Sequence, residues 1–114
     1  MPGPIFRWDG WSFEPAEWRL LNAAGEQVSL PNKTFDLLAL LVDRAPALVG
    51  KDEILSTVWG GTVVEEGNIA FHVASLRKTL DRAGAASCIE TVRGRGYRFV
   101  AAVTAEKTTS GVVS

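Results

Sequence analysis

The sequence predicts an α+β fold in which an N-terminal antiparallel sheet is followed by three helices and a C-terminal β-hairpin. Two aromatic runs flank Asp9-Gly10, and an Asp-Gly pair in that setting is the strongest local signal for a β-hairpin. After Pro31 the apolar residues change from alternation to helical spacing. Two alternating segments then flank a glycine- and arginine-rich tetrapeptide at residues 93–96, which indicates another tight hairpin.

The composition is that of one globular domain with an uneven charge distribution. The 114 residues are 46% hydrophobic and 22% charged, which excludes a disordered chain or a fibrous rod. The net charge is −1, yet residues 1–66 hold 5 basic and 10 acidic side chains, whereas residues 67–114 hold 7 basic and 3 acidic ones. The C-terminal part therefore has an excess of positive charge that favours contact with a polyanion.

The N-terminal sheet is expected to have four antiparallel strands. They are predicted at residues 5–8, 11–14, 18–21 and 27–30, with a glycine-containing loop between the last two. Trp8, Trp11 and Trp18 fall within these strands. We interpret them as the apolar cover of one sheet face, and the alternative is a role in stacking on a ligand.

Two helices follow the sheet. Asn32 is a suitable N-cap for the first helix, which is expected to end near Arg44 because Pro46 follows. The second helix is predicted from Lys51 to Trp59, with two acidic residues in its first turn and two glycines after its end.

The third helix is predicted from Glu65 or Glu66 to about Ala83. Its core face consists of Ile69, Val73, Leu76 and Leu80. The opposite face consists of Gly67, Phe71, Ala74, Ser75 and Lys78, flanked by Asn68, His72 and Thr79 on one side and Arg77 on the other. Small side chains with an outward phenylalanine favour close entry into a DNA major groove, and the alternatives are a protein contact or a solvated face.

The C-terminal hairpin is predicted from strands at residues 89–92 and 97–103. Arg93 and Arg95 lie at its tip. Arginine side chains at a protruding tip can enter a minor groove or bind phosphates. Arg98 is more simply explained as the outward residue of an alternating strand.

The sequence contains no pattern typical of an enzyme or a cofactor site. His72 and Cys88 lack the spacing of a metal site, and the glycines at residues 94–96 lie between strands rather than before a helix. We interpret His72 as a polar residue near phosphate or base edges, or as packed against the C-terminal hairpin, and Cys88 as an inert, partly buried residue. One cysteine and no long apolar run favour a cytoplasmic protein.

Several segments resemble one family. Residues 76–80 (LRKTL) precede residues 89–99 (IETVRGRGYRF), and residues 35–38 (FDLL), 58–60 (VWG) and 63–66 (VVEE) match at the corresponding places. The sequence is thereby identified as a member of the OmpR/PhoB-type winged helix-turn-helix DNA-binding domains of bacterial transcriptional regulators.

The resemblance implies the architecture and the mode of binding. A domain at residues 5–103 would place its third helix (about 65–83) in the major groove and its wing (about 89–103) at the adjacent minor groove or backbone. Residues 1–4 are expected to be a disordered start and residues 104–114 a flexible tail or linker.

The resemblance also assigns roles to individual residues. In the third helix the matching positions are Gly67, Asn68, Phe71, His72, Ala74, Ser75 and Arg77, beside the outward Lys78. In the wing they are Thr91, Arg93 and Tyr97, beside the second tip residue Arg95. Trp59 matches a phosphate contact, and the loop that contacts RNA polymerase in the family matches Gly60, Gly61, Thr62, Val63 and Val64.

The sequence departs from the family at three positions of the third helix. Several members have arginine where this chain has Gly67, Ala74 and Ser75, so more of the base recognition is expected from other residues, namely Asn68, Phe71 and His72. One alternative is weak binding by a single copy, with head-to-tail pairs on direct repeats. Another is a winged-helix module that binds a protein partner through the face around Phe71.

The domain begins at residue 5, close to Met1, whereas response regulators of this family place a receiver domain first. This layout resembles one-component regulators with an N-terminal DNA-binding domain, in which a sensor, repeat or ATPase region follows, sometimes across a membrane. No cofactor is expected from the resemblance.

Overall fold

The computed structural model describes residues 3–60, 66–81 and 87–107, without the side chains of Glu66 and Lys107. In chain order the strands are β1 (Pro4–Trp8), β2 (Trp11–Glu14), β3 (Arg19–Leu21), β4 (Val49–Gly50), β5 (Ile89–Val92), β6 (Gly96–Phe99) and β7 (Thr104–Lys107). The helices are α1 (Asn32–Arg44), α2 (Lys51–Val58) and α3 (Glu66–Leu80). The chain divides into two compact units, one of residues up to Leu30 together with those from Ala102, the other Pro31–Ala101.

The first unit is an antiparallel sheet with the strand order β3-β2-β1-β7. β1 and β2 form the hairpin that the sequence predicts, and both turn residues have positive φ angles, 48° at Asp9 and 85° at Gly10. Asp and Gly tolerate this left-handed conformation better than most residues. The strand count of four is confirmed, but the identity of the fourth strand is not.

The segment predicted as a strand at residues 27–30 is not one. Gln27 forms an isolated bridge with Leu21, and the Val28 N–H donates to the Leu20 carbonyl at 2.8 Å. Pro31 has no N–H to donate, and α1 begins at the next residue. The chain therefore leaves the sheet edge before a regular strand can form.

The fourth strand is β7, which lies in the segment predicted to be a tail from Thr104. It pairs antiparallel with β1, Ile5 opposite Glu106 and Arg7 opposite Thr104. Strands pair through their backbone N–H and C=O groups, so a strand with polar side chains can pair with the edge of β1. Pro4 also belongs to β1 rather than to a disordered start. Residues 1–2 and 108–114 lie outside the described residues.

Two of the three tryptophans cover one sheet face as predicted. Trp8 and Trp11 are opposite each other across the hairpin, and both are buried. Trp18 is 52% exposed, because it follows a 3₁₀ turn at Pro15–Glu17 and lies outside β3 with a φ angle of 51°. It does not contribute to the cover.

The second unit contains the three helices. Asn32 is the first residue of α1 rather than its cap, and the Pro31 carbonyl accepts the Phe35 N–H at 2.8 Å. Pro31 takes the capping position because its extended backbone, with φ −58° and ψ 153°, leads directly into the first turn. The second helix ends one residue before the predicted Trp59. The buried face of α1 consists of Thr34, Phe35, Leu37, Leu38, Leu40, Leu41 and Val42.

The core face predicted for the third helix is confirmed. Ile69, Val73, Leu76 and Leu80 are each at most 5% exposed. The helix ends at Leu80, earlier than predicted, and the carboxylate of Asp81 accepts the Cys88 N–H at 3.1 Å. The predicted end at Ala83 lies outside the described residues.

The C-terminal hairpin belongs to a three-stranded sheet with the order β4-β6-β5. The strand β4 was not predicted, because two residues are too few to show alternation. The last strand ends at Phe99 rather than Val103, and beyond it the Val100 N–H donates to the Cys88 carbonyl. A Cβ on Gly96 would collide with the Val49 carbonyl oxygen and lie 2.9 Å from the Gly50 Cα. Glycine at this position therefore allows β4 to pair with β6.

Candidate nucleic-acid interface

The outer face of α3 is open to solvent. Phe71 is 68% exposed, and the other fully exposed residues of this face are Gly67, Asn68, Ala74 and Lys78. Ser75 is half-buried. Apart from Phe71 and Lys78, these side chains are short, so another surface can approach the helix backbone closely. The orientation of this face agrees with the helical periodicity of the sequence.

An aromatic cluster joins this face to the end of α2. The ring of His72 lies 5.5 Å from that of Trp59 and 5.5 Å from that of Phe71, measured between centroids. Both contacts are within the range of favourable aromatic pairs. Trp59 and His72 are half-buried, whereas Phe71 projects into solvent. The half-buried Trp59 and His72 therefore lie next to the exposed Phe71, and all three are candidate DNA-contacting residues.

A buried hydroxyl fixes the histidine of this cluster. Thr34 is 1% exposed, and its Oγ1 shares a hydrogen bond of 2.8 Å with the Nδ1 of His72. Burial lowers the pKa of His72 from its ordinary value, which favours the neutral imidazole. Thr34 is not among the residues predicted from the sequence, although it occupies an apolar-stripe position of α1, where a lone polar residue signals a partner.

A second overlooked residue closes the end of α2. The Nζ of Lys33 donates to the Val58 carbonyl at 2.8 Å. A cation at a helix C-terminus satisfies a free carbonyl and interacts favourably with the helix dipole. The residue after this carbonyl is Trp59, so Lys33 supports the backbone from which Trp59 projects. No local pattern reveals this contact, because 25 residues separate the partners.

The tip of the wing presents two cationic side chains. Arg93 and Arg95 are exposed, and Gly94 between them has a φ angle of +74° in a turn closed by the Arg95 N–H and the Val92 carbonyl at 2.9 Å. The Arg95 carbonyl also accepts the Lys51 N–H at 3.2 Å, which attaches the tip to the start of α2. The turn backbone is thus held while its guanidinium groups extend outward.

The other two arginines near the wing are occupied within the domain. Arg98 forms an ion pair with Glu90, its cross-strand neighbour, at 2.9 Å between Nε and Oε1. Arg77 donates from Nε and Nη2 to the Ile89 carbonyl at 3.2 and 2.9 Å, and from Nη2 to the Thr91 hydroxyl at 2.7 Å. The prediction that Arg98 is an outward strand residue is confirmed. Arg77, for which the family resemblance predicts a DNA contact, donates to two residues of β5.

The charge at the interface follows from this division. Within the described part of the chain, Lys78, Arg93 and Arg95 form no ion pair, while the nearest wing carboxylate, Glu90, is neutralised by Arg98. Among the described side chains, the charged ones without an ion pair on the outer face of α3 and at the wing tip are therefore all cationic, even though the chain as a whole has a net charge of −1.

The remaining candidate positions differ in accessibility. Thr91 is exposed, but Tyr97 is only 7% exposed because it faces the same side of the hairpin as the buried Phe99. Any contact by Tyr97 is limited to the small accessible part of its side chain. Gly60 is described, with a φ angle of 61°, whereas the rest of the predicted polymerase-contacting loop, residues 61–64, lies outside the described residues.

A helix with short outward side chains beside a hairpin with exposed arginines at its tip is the arrangement of a winged helix-turn-helix DNA-binding domain. The chain belongs to the family described as transcriptional regulatory protein, C terminal, which matches residues 25–99. This is the OmpR/PhoB-type family that the sequence resembles, so that prediction is confirmed, together with the fold class and the function of sequence-specific DNA binding.

Two curated relatives illustrate the similarity. A transcriptional regulatory protein of Bacillus subtilis, YvcP, is 34% identical over 74% of this chain and 34% of its own length. The heme response regulator HssR of Staphylococcus aureus is 34% identical over 68% of this chain and 35% of its own length. The chain thus spans about a third of the length of these relatives.

Solved structures show the same fold. The DNA-binding domain of CpxR from Escherichia coli is 26% identical with a TM-score of 0.74, covering 84% of this chain and 95% of that one. The Klebsiella pneumoniae RstA DNA-binding domain, solved in complex with the RstA box, is 28% identical with a TM-score of 0.70, covering 84% and 96%. The DNA-binding domain of Escherichia coli CadC has a TM-score of 0.77 at 24% identity, covering 91% and 98%.

Three further observations bear on function. The family is one of DNA-binding transcription regulators and not of enzymes. Among the described residues, no group of His, Cys, Asp and Glu side chains has the arrangement of a metal site. No helix in the described parts of the chain is long and apolar enough to cross a bilayer.

Proposed function

We propose that α3 enters the major groove of duplex DNA while the wing tip contacts the adjacent minor groove or backbone. The observation that carries this proposal is the division of the cations: Arg93, Arg95 and Lys78 are exposed without ion pairs among the described residues, beside a helix face of small side chains. Free guanidinium and ammonium groups bind phosphates, and a narrow helix face approaches base edges.

Base recognition is expected from the exposed side chains of α3. Asn68 has the amide geometry that pairs with adenine, and Phe71 can contact a thymine methyl group. Gly67 and Ala74 provide no hydrogen-bonding group but allow the helix backbone to approach the groove floor. The proposed operator is therefore richer in A·T than in G·C pairs at the positions facing α3.

Phosphate contacts are expected to anchor both ends of the interface. At one end, Trp59 follows the lysine-capped end of α2 and is stacked on His72. At the other end, Arg93 and Arg95 project from a turn whose backbone is attached to α2. A stacked side chain at Trp59 and a held backbone at Arg93 and Arg95 lose less entropy on binding than unrestrained groups, which favours these residues as anchors.

The test is a titration of fluorescently labelled promoter-derived duplex, measured by anisotropy between about 50 and 200 mM salt. If the three unpaired cations each neutralise one phosphate, log K should fall with log salt with a slope near −2.7, at about 0.9 per contact. Arg93→Ala or Arg95→Ala should each reduce the slope by about 0.9. Arg19→Ala is the matched control, because it removes one charge from the sheet unit, where Arg19 is bridged to Glu14.

A wild-type domain that fails to bind any duplex at low salt would contradict the proposal.

One observation favours a second function: Phe71 is a large apolar side chain that is 68% exposed, which suits a protein-binding module. A protein partner held by this face would be lost with Phe71→Ala and retained by Arg93→Ala. DNA binding should be weakened by both substitutions.

We also propose that the domain acts in the cytoplasm, where the duplex is accessible, as part of a transcriptional regulator. The matched relatives are about three times as long as the aligned region, so regulatory segments outside this chain are expected. Head-to-tail binding of two copies to direct repeats, and contact between residues 60–64 and RNA polymerase, remain proposals from the family. Stoichiometry on single and tandem half-sites tests the first.

A further inference from the structure

Arg77 is the side chain that connects the middle of the interface to the wing. It extends from the last turn of α3 and donates to the Ile89 carbonyl and the Thr91 hydroxyl, both on β5. Twelve and fourteen residues separate these partners from Arg77. The planar guanidinium donates from two nitrogens in a fixed geometry, so it constrains both the distance and the angle between helix and strand.

The hydrogen-bond chemistry of Thr91 makes this contact directional. A threonine hydroxyl has one hydrogen to donate and two lone pairs to accept. At 2.7 Å the Thr91 Oγ1 accepts from the Nη2 of Arg77, so one lone pair is occupied. No acceptor in the described part of the chain takes the hydroxyl hydrogen, and Thr91 is exposed. The hydrogen therefore remains available to an external acceptor.

We propose that Arg77 is a positioning residue: it fixes the wing relative to α3 and orients the Thr91 hydroxyl to donate to a DNA phosphate. The inference rests on the proposed mode of DNA binding and assigns Arg77 a different role from the direct contact that the sequence suggests. Donation from a cation to the hydroxyl oxygen also polarises the O–H bond, which strengthens its bond to an anionic acceptor.

The first test needs no DNA. In NMR spectra of the free domain, the Nε–H of Arg77 should be protected from exchange, because it donates to the Ile89 carbonyl. Arg77→Lys should shift the amide signals of Ile89 and Thr91, since one ammonium group cannot reproduce the two-nitrogen geometry. An unprotected Nε–H together with unchanged wing signals in Arg77→Lys would overturn the proposal whether or not the domain binds DNA.

The second test is a double-mutant cycle on DNA affinity. Arg77→Lys and Thr91→Val should each weaken binding roughly tenfold, and the double variant should be no weaker than either alone, because both remove the same oriented donor. Thr91→Ser keeps the hydroxyl and should bind like the wild type. Losses that simply add, or a Thr91→Ser variant as weak as Thr91→Val, would overturn the proposal.

The salt dependence separates positioning from direct contact. Arg77→Gln should weaken binding without changing the salt slope, whereas Arg95→Ala should reduce the slope by about 0.9. A reduced slope in Arg77→Gln would show that Arg77 itself neutralises a phosphate, which contradicts the proposal. Thermal unfolding of each variant identifies any that does not fold, and Arg77→Met, which also removes the charge, then takes the place of Arg77→Gln. A wild-type domain without DNA affinity would refute the proposed function, while the exchange measurement would still decide the role of Arg77 in the wing.

Discussion

The hydroxyl oxygen of Thr34, in the buried face of α1, lies 2.8 Å from the Nδ1 of His72 on α3. This bond holds the imidazole against Trp59, so a polar group in the core determines the position of an aromatic cluster at the interface. Because the histidine is titratable and partly desolvated, the contact also couples folding to pH.

We expect the stability of the domain to decrease as the pH falls through the range in which His72 titrates. Burial lowers the pKa of His72 in the folded state below its value of 6.5 in the unfolded state. The stability contribution is therefore present above the unfolded pKa and lost as the pH falls through the folded pKa. Thermal unfolding measured in steps from about pH 7.5 to pH 5.5 should show a falling Tm. His72→Gln should show a smaller fall, and an equal fall in both proteins would contradict this prediction.

Gly96→Ala should be strongly destabilising. The new methyl group would collide with the Val49 carbonyl and approach the Gly50 Cα, so β4 must separate from β6. Overpacking of this kind costs roughly 1–3 kcal/mol, measurable by urea denaturation. Gly94→Ala is the informative companion: its Cβ meets nothing within 4 Å, and only the strain of a φ angle of +74° opposes it. If Gly96→Ala costs no more than Gly94→Ala, close strand pairing is not the reason for the glycine.

Gly67→Ala should separate stability from DNA binding. Gly67 is the second residue of α3, with open space around the position of a Cβ, so alanine should stabilise the helix, by less than the roughly 1 kcal/mol expected in a helix interior. The added methyl group should nevertheless weaken DNA binding if the helix backbone approaches the groove closely at this position. Ala74→Gly is the converse variant, expected to lose stability. Unchanged affinity in a stabilised Gly67→Ala domain would place Gly67 away from the DNA.

Truncation should show that β7 is part of the fold. A chain ending at Val103 lacks the strand that pairs with β1 and leaves that edge with unpaired backbone groups. Its Tm should fall clearly below that of a chain ending at Lys107. The exposed ion pair between Arg7 and Glu106 should contribute little, so Glu106→Gln should unfold nearly like the full chain. Equal stability of the two truncated chains would show that β7 adds nothing to the first unit.

Local patterns in the sequence predict the helices well. The apolar stripe of α3 and its exposed opposite face follow directly from the 3.6-residue period, and the structure places Ile69 and Phe71 on the expected sides. The turn at Asp9-Gly10 and the wing hairpin are equally local features. The largest errors concern strands: residues 27–30 alternate suitably but remain largely unpaired, while the polar segment 104–107 pairs with β1.

The sequence by itself determined the order of the three helices and of the hairpins on either side of them, the family and the set of cationic residues near the C-terminus, because these depend on residue type and short-range spacing. It could not determine which of those cations are free. Only the tertiary structure decided that Arg98 is neutralised by Glu90 and Arg77 is bound to β5, while Arg93 and Arg95 remain exposed. The physical reason is that residue type sets the charge of a side chain, whereas the availability of that charge to a ligand depends on the partners that the fold brings within hydrogen-bonding distance.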